Sequence, residues 1–208
     1  MGKSSRRPDH QLSLVLASAS PRRAELLRSA GIHADIRPCH KPEPVLKPAS
    51  VDIEMWPVCL AHYKAAAVFQ SLRNTDGGRS RHTVIGADTI VELGGRIINK
   101  ASNASRARAI LRMLSGRSHR VITGVAVITS EQTHLISATA TCRMRRLSST
   151  VLEQYIASGL WRGKAGAYGI QDNSDPLVEL VSGDMTTVMG LPMPPLLELL
   201  NNVGVVMR

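Results

Sequence analysis

A chain of 208 residues and 22.5 kDa, 43% of it hydrophobic, is long enough to bury one core or a core shared by two lobes, and short for two full domains. Aromatic residues are only 3% of it (Trp56, Tyr63, Phe69, Tyr155, Trp161 and Tyr168), which argues against the base-stacking platforms of single-strand binders. A net charge of +10 and a pI near 10.3 favour polyanionic partners, whether nucleic acid, anionic lipid or nucleotide phosphates, without choosing among them.

Residues 1–11 are polar and basic with no apolar core, and read as a disordered tail ahead of a single domain over 12–208. A short apolar run, LSLVLA, leads into Ser18, Ala19, Ser20 and Pro21 and then RRAELLRSAGI. Ser20 before Pro21 predicts a helix N-cap followed by proline at the first helical position, with Gly31 as the stop. Four prolines break the segment 38–48. Helical patterning then runs over 50–72, with Pro57 marking the first turn of the main helix. An apolar stretch from Thr83 to Ala87, then Asp88, Thr89 and a second stretch IVEL, precede a Gly94-Gly95 hairpin turn and RIIN. Asn103 predicts the cap of a helix with Ala104, Ala107, Ile110, Leu111 and Leu114 on one face, ended by Gly116. The segments 119–128 and 134–144 read as two long antiparallel strands. Ser148 or Ser149 caps a helix to Ala157. Beyond it come a Gly-rich segment KAGAYGIQ, a strand PLVELV and a closing helix after Pro192.

No uninterrupted apolar run approaches the roughly 18–20 residues of a membrane helix. The three cysteines, Cys39, Cys59 and Cys142, lie far apart with no CxxC pair and no histidine at zinc-finger spacing. A reducing cytoplasm suits them, and neither a disulfide framework nor a structural zinc site is indicated.

The turn Ser18 to Arg23 has the parts of an anion site: hydroxyls, free N–H groups at a helix start and two guanidiniums. The bland alternative is a capped surface helix with two solvated arginines. Asp88 follows an apolar strand and so predicts a carboxylate at a strand's C-terminal end, where α/β proteins gather active groups, or else a turn-forming aspartate. Lys100 and Lys164 each neighbour small residues that would let a phosphate approach, against the commoner solvated lysine. Glu43, in the proline-rich loop, is a candidate metal ligand or a solvated glutamate. Gln171 offers an amide that reads a base edge or closes a strand-end hydrogen bond. There is no GxxxxGK[ST] loop, no GxSxG elbow and no HxxxH pair. His119 reads as packed or surface-exposed, and the arginines over 106–112 as a solvated face. One acidic strand end, one anion-binding turn and scattered lysines suggest metal-assisted chemistry on a phosphorylated small molecule.

Read in order, LASASPRRAELLRSAGI, VIGADTIV, RMLSGRSHRVITGVAVI, KAGAYGIQ and VMGLPM closely resemble the Maf family of nucleoside triphosphate pyrophosphatases, over about Leu12 to Leu200. The resemblance implies an elongated, ITPase-like α/β fold around a twisted mixed sheet, with a nucleotide cleft between two lobes. It implies hydrolysis of noncanonical or surplus nucleoside triphosphates to monophosphate and pyrophosphate, with a divalent cation, Mg²⁺ or Mn²⁺. Carried over by motif, Ser18, Ser20, Arg22 and Arg23 bind substrate. Asp88 is catalytic and a metal ligand, Glu43 a second metal ligand, and Lys64 and Lys100 are catalytic cleft lysines. Thr89, with Arg22 and Gln171, stands where family branches differ. Without the resemblance Lys64 reads as a helix-surface lysine and Thr89 as a strand residue. Whether Asp88 is base, ligand or both stays open.

Three departures stand out: Pro42-Glu43 replaces paired acids, Lys100-Ala101 replaces Lys-Pro, and DNSDPLVELVSGD lacks the usual Gly-rich stretch. The pattern is similar to the branch acting on dTTP and UTP. The alternatives are a relative acting on 7-methyl-GTP or other modified nucleotides, and a basic nucleic-acid-binding or division-regulating protein with a vestigial site. The presence of Asp88, Lys100 and Gln171 together argues against decay. A nucleoside triphosphate is the implied partner, with no membrane, nucleic acid disfavoured, and a homodimer compatible with the chain.

Overall fold

The computed structural model describes residues 13–44, 46–77, 81–170 and 177–205. The expectation of a disordered tail over 1–11 and the Gln171 side chain lie outside the described residues. The sheet is mixed. β1 (Ser13–Leu16) pairs in parallel with β2 (Asp35–Ile36) and with β3 (His82–Leu93). β3 runs antiparallel to β4 (Arg96–Ile98) and β5 (Ser118–Ile128), and β6 (Thr133–Met144) and β7 (Val178–Ser182) continue the antiparallel side. The order is β2-β1-β3-β5-β6-β7, with β4 also on β3.

Asp88 is not at a strand end. The two apolar stretches on either side of it form one strand of 12 residues, with Asp88 in its middle. Aspartate is depleted in strands, so an Asp-Thr pair reads as a break. Here a lysine ion-pairs with the carboxylate, which removes the penalty for burying it.

What opens the site is a split along the other edge of β3. β1 covers that edge up to the pair Leu16↔Ile85, and β4 takes over only at Val91↔Ile98. Among the described residues, 86–90 therefore have no strand neighbour there, while their opposite edge stays paired with β5 from Val84↔Ile128 to Glu92↔Arg120. A strand order that diverges at one point leaves a crevice where α/β proteins bind ligands.

The two faces of β3 meet different neighbours, because alternate side chains point to opposite sides. On one face Ile85 and Ala87 join a core with Leu14 and Leu16 of β1, Leu27 of α1 (Pro21–Ser29), and Leu196 and Leu200 of α6 (Met193–Asn202). On the same face Val91 joins a second core with α3 (Ala104–Leu114), α4 (Ser149–Ser158), Trp161 and Tyr168. Thr89 sits between these cores, at the seam of two lobes. The other face, with Val84 and Ile90, lies under α2 (Trp56–Asp76).

The α2 backbone comes so close that only glycine fits beneath it. A Cβ at Gly124 would lie 2.2 Å from the Val58 amide nitrogen, and one at Gly86 2.2 Å from the Ala61 carbonyl oxygen. Both neighbours are backbone, so no rotamer change relieves the clash. Gly124→Ala should therefore destabilise the protein by about 1–3 kcal/mol, the scale of overpacking, in a urea melt. A melt at the wild-type midpoint would show that the helix can lift away freely.

The Asn103 cap accepts from the Arg106 amide at 2.8 Å and the Ser148 cap from the Val151 amide at 3.3 Å, as the sequence predicts. Pro57 lies in the first turn of α2. Ser20, by contrast, precedes α1 without a side-chain cap bond. The short helix α5 (Met185–Met189), capped by Asp184, has too few residues for a periodic signal and is not foreseen.

Candidate active site

Ser18 ends the β1 run and is buried, its Oγ accepting from the Ser20 amide at 3.3 Å and from Arg23 Nη1 at 2.9 Å. Ser20 gives α1 no cap, so the first N–H groups of that helix have no side-chain acceptor from it. A cavity of about 480 Å³ opens at this point, lined by Ser18, Ser20, Arg22, Arg23, Lys64, Lys100, Arg162 and Lys164 against one carboxylate, Glu43. Such a pocket favours a polyanion.

Lys64 is no surface lysine. It lies on the stripe Leu60, Ala61, Lys64, Ala65, Val68 that α2 presses on the sheet, and its side chain is 9% exposed. Its Nζ donates to Asp88 Oδ1 at 2.5 Å and lies 3.1 Å from Glu43 Oε2. The i, i+3, i+4 spacing of that stripe is the signal that marks Lys64 as inward-facing. Tyr63 Oη donates to the Pro42 carbonyl at 2.8 Å, which ties the proline-rich loop to α2 and brings Glu43 to Lys64.

The two arginines differ. Arg23 donates from Nε to the Gly190 carbonyl at 2.8 Å, from Nη1 to Ser18 Oγ and the Ala87 carbonyl, each at 2.9 Å, and from Nη2 to Thr89 Oγ1 at 3.1 Å. Burial lowers its pKa, Asp88 opposes that and Arg22 adds to it. Its guanidinium fills the split beside Ala87 and has one N–H left over. Arg22 lines the same cavity with a buried Nε that has no hydrogen-bond partner among the described residues. The picture of two solvated arginines therefore fails for Arg23.

A second cavity, of about 310 Å³, adjoins the first, sharing Ser20, Arg22, Arg23, Lys100 and Gly163. Asp88 and Thr89 line it as well, and Val91, Val121, Tyr168, Ile170, Val188 and Met189 supply its apolar wall. In the sequence, apolar strand positions such as Val91 and Val121 look like core, and only a cavity beside them shows otherwise. Gly166, at φ +69°, brings the backbone close to this wall, and a Cβ there would lie 2.9 Å from Tyr168 and from Val91.

Behind the wall, His119 Nε2 lies 2.6 Å from Tyr168 Oη, both side chains buried. Burial lowers the His119 pKa to about 4, against a smaller opposing effect of the Arg117 backbone, and raises that of Tyr168 well above its usual value. A histidine depressed in the folded state stabilises the fold above its unfolded pKa of about 6.5, and that stability is lost as pH falls toward 4. Melting temperature should therefore fall between about pH 6.5 and pH 4, and His119→Gln should flatten this dependence. An unchanged slope would assign the acid sensitivity to other groups.

Ser18, Ser20, Arg22, Arg23, Glu43, Lys64, Asp88, Thr89 and Lys100 all line one of the two adjoining cavities. Lys164, read from sequence as more commonly solvated, and Arg162, not singled out, join them. Among the described residues no three His, Cys, Asp or Glu side chains converge as a metal cluster. Asp88 and Glu43, held by one ammonium, offer oxygen ligands of the hard kind that Mg²⁺ or Mn²⁺ takes together with waters and substrate phosphates.

A cavity crowded with arginine and lysine, adjoining one that shares those cations and adds an apolar wall, lies at the split edge of a mixed sheet, the place where α/β proteins bind ligands. The family model described as Maf-like protein matches residues 13–203. The dTTP/UTP pyrophosphatase of Agrobacterium fabrum is 40% identical over 203 residues, covering 92% of this chain and 92% of the relative. The dTTP/UTP pyrophosphatase of Chelativorans sp. is 42% identical over 193 residues, 90% of this chain and 89% of the relative. That of Rhodopseudomonas palustris is 39% identical, covering 94% of each. The chain belongs to the Maf-like protein family. Among the described residues no helix is long and apolar enough to cross a membrane.

Proposed function

We propose that this protein is a nucleoside triphosphate pyrophosphatase that hydrolyses dTTP and UTP to the monophosphate and pyrophosphate. The observation that carries the reading is the ion pair between Asp88, which lines the cavity with the apolar wall, and Lys64, which lines the adjoining cationic cavity. A triphosphate lying along the cationic side with its base on the apolar side brings its α-phosphorus to that ion pair. The relatives named dTTP/UTP pyrophosphatase support the substrate.

Asp88 takes or orients the proton of the attacking water, a role that requires a carboxylate within hydrogen-bond reach of it. Lys64 holds Asp88 and Glu43 in register, and its ammonium faces the phosphate chain. Arg22 and Lys100 balance charge that accumulates on the phosphoryl oxygens and on departing pyrophosphate. Ser18 and Ser20 line the phosphate channel, and Arg23 braces it while keeping one N–H for an oxygen. A divalent cation on Asp88 and Glu43, Mg²⁺ or Mn²⁺, supplies further neutralisation of that charge when bound. Thr89 and Gln171, which directly follows Ile170 of the apolar lining, select the base.

The test is pyrophosphate release from a panel of dTTP, UTP, CTP, dATP, dGTP and 7-methyl-GTP, with Mg²⁺ or Mn²⁺. The expected result is kcat/KM for dTTP and UTP at least about tenfold above dATP and dGTP, the discrimination that one unpaired buried polar group gives. A preference for 7-methyl-GTP would move the protein to another branch of the family. Gln171→Ala should narrow the preference more than it lowers the rate on the poorest substrate.

A further inference from the structure

Thr123 has no part in the reading above. It is fully buried in the middle of β5, directly across from Thr89, as Val121 is across from Val91. Threonine suits a strand, but a hydroxyl at this depth must find partners.

Its partners fix a direction. Thr123 Oγ1 lies 2.7 Å from the Thr187 carbonyl oxygen, which only accepts, so the single hydroxyl proton of Thr123 points there. In the 3.0 Å contact between Thr89 Oγ1 and Thr123 Oγ1, Thr123 is therefore the acceptor and Thr89 the donor. Arg23 Nη2, which only donates, fills one lone pair of Thr89 Oγ1 at 3.1 Å. Thr89 thus has its proton turned inward and one lone pair left, in a residue that lines the apolar cavity. Gly190 keeps the space over that hydroxyl clear, since a Cβ there would stand 3.1 Å from Thr89 Oγ1 and 3.2 Å from Arg23 Nε.

We infer that Thr123 is a positioning residue for base selection: by holding the Thr89 proton it makes Thr89 an obligate acceptor, which takes a hydrogen-bond donor of the bound nucleotide. That donor is the ring N3–H of uracil or thymine. Thr89 shares its sheet face with Val91 and Val121 of the cavity wall, whereas Asp88, ion-paired with Lys64 of α2, points to the other face. Cytosine presents an unprotonated N3 at the same place, and two acceptors facing each other in a buried site are costly. The inference rests on the pyrophosphatase reading and gives its pyrimidine preference a physical cause.

The experiment measures kcat/KM for UTP, CTP, N3-methyl-UTP and 3′-deoxy-UTP with the wild type, Thr123→Val and Thr123→Ser. Valine keeps the shape, and the Thr187 carbonyl retains the Gly190 amide at 3.1 Å. The wild type should lose at least about tenfold on N3-methyl-UTP and little on 3′-deoxy-UTP. Thr123→Val releases the Thr89 proton, so the UTP-to-CTP ratio should shrink by about tenfold, and Thr123→Ser should restore it. A merely structural Thr123 would change both substrates alike and leave the ratio untouched.

That outcome overturns the inference, as does a folded Thr123→Val with wild-type selectivity. Full activity on N3-methyl-UTP, or a loss on 3′-deoxy-UTP in its place, overturns the base assignment with the wild type alone, whatever the variants do. Failure of the wild type to release pyrophosphate from UTP sinks the pyrophosphatase reading itself, a result distinct from any of these.

Discussion

Asp88→Asn should lower kcat for pyrophosphate release by at least about two orders of magnitude, the usual scale for losing a positioned base or a group that stabilises the transition state. The substitution keeps shape and hydrogen-bonding capacity while removing the charge. The strand carrying it is paired with β5 from Val84 to Glu92, so its backbone has no reason to move. Lys64 keeps Glu43 at 3.1 Å, which limits the cost of leaving a buried ammonium with one carboxylate. In the proposed reading the cations of the other pocket grip the triphosphate, so the loss should fall on kcat more than on KM. Glu43→Gln should cost less, since its side chain is 47% exposed against 11% for Asp88 and water partly replaces it. Single-turnover and steady-state rates on circular-dichroism-checked protein decide the matter. A folded Asp88→Asn enzyme turning over within about tenfold of the wild type would remove Asp88 from the chemistry.

The elements whose boundaries carry local chemistry were legible in the sequence: the Asn103 and Ser148 caps, the Gly94-Gly95 turn and the antiparallel pair β5 and β6 all stand where residue type and period put them. What local rules misread depends on contacts far along the chain. Asp88 looked like a strand end because its neutralising partner, Lys64, lies 24 residues earlier on a helix. Ser20 looked like a cap because nothing local reveals that Ser18 Oγ, rather than Ser20 Oγ, is the hydroxyl the turn uses. The apolar end of the cleft was invisible for a related reason. Val91 and Val121 have the pattern of buried strand residues, and only the seam between two cores turns that face into a binding wall. The family resemblance brought Lys64 and Thr89 forward, and the geometry supplies the reasons: an ammonium between two carboxylates, and a hydroxyl on the cavity wall.

Arg22 and Arg23, adjacent and chemically identical, should give opposite results when each is replaced by alanine. Arg23 binds the carbonyls of Ala87 and Gly190 and the hydroxyls of Ser18 and Thr89, so one side chain ties α1 to the open edge of β3 and to the turn after α5. Truncation removes a donor from four acceptors in a half-buried place, of which Ser18 Oγ keeps the Ser20 amide, and each one left dry and unpaired costs about 1–3 kcal/mol. Even with water reaching some of them, Arg23→Ala should lose at least about 3 kcal/mol of stability, or roughly 10 °C in melting temperature for a chain of this size. Arg23→Lys should recover little of it, because an ammonium is a point donor and cannot span a fork of four acceptors.

Arg22 has a buried Nε with no hydrogen-bond partner among the described residues, so removing it orphans no acceptor of that nitrogen. Arg22→Ala should melt within about 2 °C of the wild type and lose tenfold or more in kcat/KM, since its guanidinium lines both cavities where a polyanion would lie. Thermal melts and kcat/KM for UTP, run on both variants side by side, separate the roles. If Arg23→Ala melts with the wild type while Arg22→Ala collapses, the brace is Arg22, and the hydrogen bonds of Arg23 hold nothing that folding depends on.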